Sequence, residues 1–168
     1  MEQYRALVAR AMDDVLQGIE PVRPFENFGL DHAKIVVDEM IRRASSSVKI
    51  YSQKVNADVY EPQWFRDFLN HSPETSLTII VERADVFSNP ESTLNRIQDL
   101  RAEKRMSVRI LPEKFWGKHV AIVDDIFARV ETSQEKFTAS VSLGKLPLTE
   151  TAIKTFAELE RRSVPLGA

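Results

Sequence analysis

Hydrophobic and polar positions over residues 2–20 recur with the period of an amphipathic helix. Leu7, Val8, Ala11, Met12, Val15, Leu16 and Ile19 form one stripe, with Arg5, Arg10, Asp13, Asp14 and Gln17 opposite. Pro21-Val22-Arg23-Pro24 then breaks the pattern, because proline removes a backbone donor and clashes with the preceding turn. Such a stripe is buried either on the chain's own domain or against a partner or second copy. Both options stand at this stage. Residues 1–24 are read as a helix and Pro linker ahead of a domain spanning 25–168.

From Phe28 the period switches between helix and strand. Asp31 is placed to cap a helix running through Ile35, Val36, Met40 and Ile41 to Ala44. After Ser45-Ser46-Ser47, residues 48–54 are rich in β-branched and aromatic side chains and predict a strand. A helix over 62–71, with Trp64, Phe65, Phe68 and Leu69 inward, precedes a buried strand over 77–82. Pro90 marks the first turn of a helix reaching about Arg105, and a strand follows over 107–111. Three strand-like runs come next, over 119–123, 126–131 and 137–143. Pro147 opens a last helix with Ala152, Ile153, Phe156 and Leu159 on one face. This order predicts an α/β domain with a mixed, mostly parallel sheet flanked by helices, the first helix being extra.

Composition narrows the function classes. A length of 168 residues suits a single core, and 43% hydrophobic with 29% charged residues is the balance of a soluble globular protein. The formal net charge of −2 speaks against a protein basic overall, though not against a local basic patch. The absence of cysteine excludes disulfides, thiol catalysis and thiolate metal sites. No secretory h-region and no bilayer-spanning run is present, so a cytoplasmic protein without cofactor is expected.

Two stretches carry candidate chemistry, His32-Ala33-Lys34 with Asp38-Glu39, and Lys118-His119 leading to Asp124-Asp125. The chain also supplies Ala44-Ser45-Ser46-Ser47-Val48-Lys49-Ile50-Tyr51-Ser52, then Val108-Arg109-Ile110-Leu111-Pro112, then Ile122 to Val130, in that order. This succession resembles a single half of the phospholipase D superfamily. The resemblance implies a His-x-Lys-x4-Asp strand, a Gly-Ser-x-Asn turn and a closing Glu. In the family the His attacks phosphorus to form a phosphohistidine, Lys and Asn hold phosphate oxygens, and Asp orients the imidazole. Two motif copies complete one site.

His32-x-Lys34 has that spacing but falls in a predicted helix. There, residues two apart diverge by about 200° around the axis, so one phosphate cannot be held between them. The second stretch lies on a strand but departs from the motif. Aligned on Asp124, the family His falls on Gly117 and the Lys on His119; aligned on His119, Lys becomes Ala121 and Asp becomes Ile126. The nearest counterpart of the Gly-Ser-x-Asn turn is Glu131-Thr132-Ser133-Gln134-Glu135, where Ser133 can still donate a hydrogen bond. Ser140 or Ser142 stands where the closing Glu would be.

His119 by itself is a base candidate that Asp124 or Asp125 would orient if the strand bends back. The plainer reading is a half-exposed histidine bonded to a turn. Its spacing from the aspartates does not cluster ligands on one face, so no metal is expected. A basic run, Arg101, Lys104, Arg105, Arg109, Lys114 and Lys118 with Phe115 and Trp116, suits phosphates and unstacked bases, or is a solvated helix face over 101–105 followed by a loop whose Trp116 covers the core edge.

The resulting expectation is a non-catalytic phospholipase D-like binding or assembly module. Nucleic acid or a phosphorylated ligand would meet Lys118, Arg109, Lys114, Arg105, Trp116 and Ser133, and a protein partner or second copy would meet helix 2–20. The alternative is a divergent homodimeric phosphodiesterase or nuclease using His119 and Asp124. An open cleft lined by cations, with a carboxylate in reach of His119, would keep the enzyme in play.

Overall fold

The structure is a computed structural model that describes residues 1–19, 23–71, 73–113, 118–133 and 135–166. Its helices are α1 (Glu2–Leu16), α2 (Gly29–Arg42), α3 (Pro62–His71), α4 (Thr93–Arg96) and α5 (Pro147–Arg162). Its strands are β1 (Phe25–Asn27), β2 (Ser47–Ser52), β3 (Ser76–Val81), β4 (Met106–Ile110), β5 (Val120–Val123), β6 (Phe127–Ser133), β7 (Thr138–Leu143) and β8 (Val164–Pro165). All eight strands form one sheet in the order β1-β7-β6-β5-β2-β3-β4-β8.

The expected mixed α/β class is present, but the parallel part is narrower than expected. Only β2, β3 and β4 run parallel, joined through α3 and through the segment carrying α4. The pairs β2–β5, β5–β6, β6–β7, β7–β1 and β4–β8 are antiparallel. The connections from β5 to β6 and from β6 to β7 are too short for a crossover, so antiparallel pairing is forced.

Period-two alternation divides the sheet into two dry faces. On one, Val48, Ile50, Ala121, Val123, Phe127, Val141 and Leu143 join residues of α1, α2 and α3 in the main core. On the other, Tyr51, Val120, Ile122, Ala128 and Val130 pack under Ala152, Phe156 and Leu159 of α5.

α1 packs on its own domain. Val8 and Met12 are fully buried, whereas Leu7, Leu16 and Ile19 stay 65%, 47% and 53% exposed. The helix is held to α2 by charge. Arg5 bonds both Asp38 and Glu39, and Asp13 receives Arg43. Asp38 and Glu39 are almost fully buried and are also met by Arg42 and Arg43. The stripe therefore spends its centre inside the molecule, and the partner expected through this helix is left only its flanks.

Two local expectations are corrected. α2 starts at Gly29, with Phe28 as the cap residue, so Asp31 lies in the first turn rather than at the cap. The helix expected over 90–105 is broken into α4 and a 3₁₀ segment, Gln98–Ala102. Ser92 Oγ accepts from Leu94 N, starting α4 late, while Ala57 N donates to Glu91 O and Thr93 N to Val55 O. Those bonds tether the segment to the loop after β2, and a straight helix would break them.

Candidate functional site at the His119 end of the sheet

The β5–β6 hairpin turns at Asp124 and Asp125, both with left-handed φ, and Ile126 N donates to Val123 O to close the turn. That register sets His119 opposite Glu131, whose N–H donates to the His119 carbonyl at 2.9 Å. Directly opposed side chains on one face meet, and here Nδ1 of His119 lies 2.9 Å from Oε2 of Glu131. Nε2 faces the backbone N–H of Gln53 at 3.5 Å, just past the end of β2. The His119 side chain is 19% exposed and that of Glu131 only 4%.

Arg129 points to the same face two residues earlier and is 2% exposed. Its Nε donates to Asn27 Oδ1 at 3.1 Å and its Nη2 to the Phe137 carbonyl at 3.4 Å, with Glu131 Oε1 at 3.9 Å. Gln53, Lys54, Asn56, Tyr60 and Phe137 complete the wall of a cavity of about 160 Å³ around His119, Arg129 and Glu131. Burial, reinforced by Glu131 and opposed by Arg129, pushes the Tyr60 phenol up to about 12. Lys54 is ion-paired with Glu91 at the rim.

The residues named from sequence disperse. Asp124 does not orient His119; it lies at the far end of β5 and accepts from the N–H groups of Ser45, Ser46 and Ser47 and from the Ser45 and Ser46 hydroxyls. Partial burial alone would raise its pKa, but these donors hold the carboxyl below its ordinary value. Asp125 pairs instead with Lys49.

Arg109 and Arg105 are likewise committed elsewhere. Arg109 donates to Ser163 Oγ and O, both at 2.7 Å, and to Glu160 O, closing the carboxyl end of α5. Arg105 donates to Leu69 O and Thr75 Oγ1 at the end of α3. Helix ends leave carbonyls unpaired, and a guanidinium satisfies several at once. The two arginines thus serve opposite faces of the sheet and do not form one phosphate-binding strip. Lys118 is exposed beside His119, and Ser133 ends β6 opposite Thr138. Lys114 and Trp116 lie outside the described residues. His32 and Lys34 sit on α2 as expected, His32 stacked on Tyr4 and Lys34 near Glu61.

Sequence reasoning missed Arg129 as well as Tyr60 and Gln53, and did not select Glu131 as the partner of His119. The signal for Glu131 was present. A hairpin centred on Asp125 sets 119 against 131 by counting outward, and 129 shares the face of 131. Among the described residues no three His, Asp or Glu side chains group as metal ligands, and no helix is long and apolar enough to cross a membrane.

No protein-family model matches the sequence, and no curated protein matches it by sequence. Solved structures do match by shape. TrmBL2, an archaeal chromatin protein described as showing a novel mode of DNA binding, superposes with a TM-score of 0.65 at 12% identity. That alignment takes in 96% of this chain and 61% of TrmBL2, so the chain spans less than two thirds of that protein. NucT from Helicobacter pylori gives 0.64 at 16% identity, covering 85% of this chain and 98% of its own. Nuc from Salmonella typhimurium, a phospholipase D family member, gives 0.58 at 11% identity over the same shares. The chain has the phospholipase D superfamily fold. At these identities the likeness speaks for fold and not for chemistry.

Proposed function

We propose that this chain is a non-catalytic phospholipase D-like module that binds a ligand in the cavity around His119. The observation that carries this reading is the charge balance of the cavity that holds that histidine. Glu131 sits on Nδ1, and Nε2, the nitrogen left for attack on phosphorus, faces a backbone N–H. Each cation of the wall has a carboxylate beside it, Glu131 for Arg129 and Glu91 for Lys54, so the cavity offers a phosphodiester no surplus positive charge. Binding of DNA, suggested by the description of TrmBL2, has weaker support, because Arg105 and Arg109 are tied to helix ends.

One observation favours a divergent phosphodiesterase. A histidine within 2.9 Å of a buried carboxylate, in a cavity bordered by Arg129 and Lys54, is the arrangement a nucleophile or base would need. Incubation with bis(p-nitrophenyl) phosphate and with labelled single-stranded DNA separates the two. The module predicts no turnover by the wild type. Turnover abolished in His119→Ala would establish the enzyme.

A further inference from the structure

The charges around His119 cancel pair by pair. Glu131 and Arg129 of β6, with side chains 4% and 2% exposed, stand 3.9 Å apart. Lys54, just past β2, is ion-paired with Glu91. The backbone holds that second pair in place. Ala57 N donates to Glu91 O, Thr93 N to Val55 O and Val55 N to Ser52 Oγ. Between them Val55 keeps φ +52°, a conformation that a β-branched residue adopts only where its surroundings over-determine it. Lys118, next to His119 in the chain, is exposed, and solvent screens its charge. Burial pushes the Tyr60 phenol up to about 12, so at neutral pH it carries no charge. With a neutral imidazole the wall of the cavity sums to zero.

Imidazole is the side chain whose charge changes between about pH 5 and pH 8. That of His119 has Nδ1 2.9 Å from Glu131 Oε2. A proton placed there leaves Glu131 as one carboxylate between two cations. Arg129 has no second carboxylate among the described residues to turn to, because Nε and Nη2 donate to Asn27 Oδ1 and the Phe137 carbonyl, both neutral. The cavity then holds one positive charge in excess, beside a guanidinium with almost no access to water. An oxyanion that enters with the proton restores the balance. Entering without it, the same anion faces Glu131 with nothing to offset the repulsion. The volume of about 160 Å³, below the roughly 300–1,000 Å³ of drug-sized pockets, sets the anion as small.

We propose that the cavity binds a small oxyanion only together with a proton on His119, the balance of Glu131, Arg129, Lys54 and Glu91 making the site acid-dependent. This rests on the charge balance that carries the module reading, and adds the class of ligand and its regulation.

The test is calorimetric titration of the full chain with sodium sulfate and, separately, sodium formate, whose own charges stay fixed between about pH 5 and pH 8, the window of imidazole. At least one is expected to bind at about pH 5 and to weaken roughly tenfold or more by about pH 8. Sulfate alone assigns a tetrahedral oxyanion and formate alone a carboxylate, and either supports the proposal. Titrations at about pH 7 in buffers of different ionisation enthalpy are expected to show proton uptake on binding. Glu91→Gln, at a rim position 67% exposed, frees Lys54 and supplies the charge without a proton, so its binding is expected to persist at about pH 8. His119→Gln is expected to lose the pH dependence and the tighter acid-side binding. Glu158→Gln, on α5 across the sheet, is expected to match the wild type. Should His119→Gln not fold, Glu91→Gln and the proton count decide. Equal affinity at the two pH values, binding without proton uptake, or no binding of either anion at the acid end overturns the proposal. Hydrolysis of bis(p-nitrophenyl) phosphate that depends on His119 overturns the non-catalytic reading beneath it. Binding indifferent to pH in a chain that hydrolyses nothing overturns the proton linkage alone.

Discussion

Asp124 shows what one residue contributes when its expected role is taken away. Its carboxylate collects the first N–H groups of β2 and the preceding serines, locking the α2–β2 loop to the β5–β6 turn. Its φ of +51° is also one that Asp and Asn accept more readily than Ala. Asp124→Ala is therefore expected to destabilise the fold by about 2–3 kcal/mol in urea denaturation at pH 7, and Asp124→Asn by less. Because the folded-state pKa is depressed, the stabilisation is present above the unfolded value of about 3.9. It is lost as pH falls through the folded value. Asp124→Ala should thus show a shallower loss of stability than the wild type between about pH 5 and pH 2. The sequence marked Asp124 by its place after a strand and could not reveal its partners, which lie 77 to 79 positions earlier in the chain. His119 was visible for the same local reason, whereas Gln53 reaches it only through the pairing of β2 with β5.

At the scale of elements, the sequence was readable wherever periodicity ran unopposed. The bounds of α3 are those its apolar spacing predicts, and the hairpin strands fall within a residue or two of their expected positions. It was unreadable where tertiary bonds compete with propensity, as between 90 and 105, where the Ser92 cap and the contacts to residues 55–57 divide a helical pattern. The edge strands β1 and β8 are too short to show a period at all. α1 belongs to the same scale. Arg5, 43% exposed, joins it to a nearly buried acidic pair that Arg42 and Arg43 still neutralise when Arg5 is gone. Arg5→Ala is expected to loosen α1 by about 1–2 kcal/mol without unfolding the sheet. Hydrogen exchange should rise over residues 2–16 while β2 and β3 keep their protection.

The whole molecule is a sheet whose two faces are covered unequally, one by α1 to α4 and the other, among the described residues, by α5. Because Val8 and Met12 are fully buried in the larger core, a chain beginning at residue 25 is expected to lose about 3–6 kcal/mol. It should bind a hydrophobic dye that the full chain does not. A truncation that kept its Tm and left the dye dark would show that the 25–168 unit stands without α1.

The margins of the sheet carry a consequence for self-association. One end is finished by β1, three residues long, and the other by β8, two residues long with Pro165 in place of a ladder donor. Short strands and a proline give an incoming strand almost nothing to pair with. Strand addition at either margin of the described sheet is therefore disfavoured.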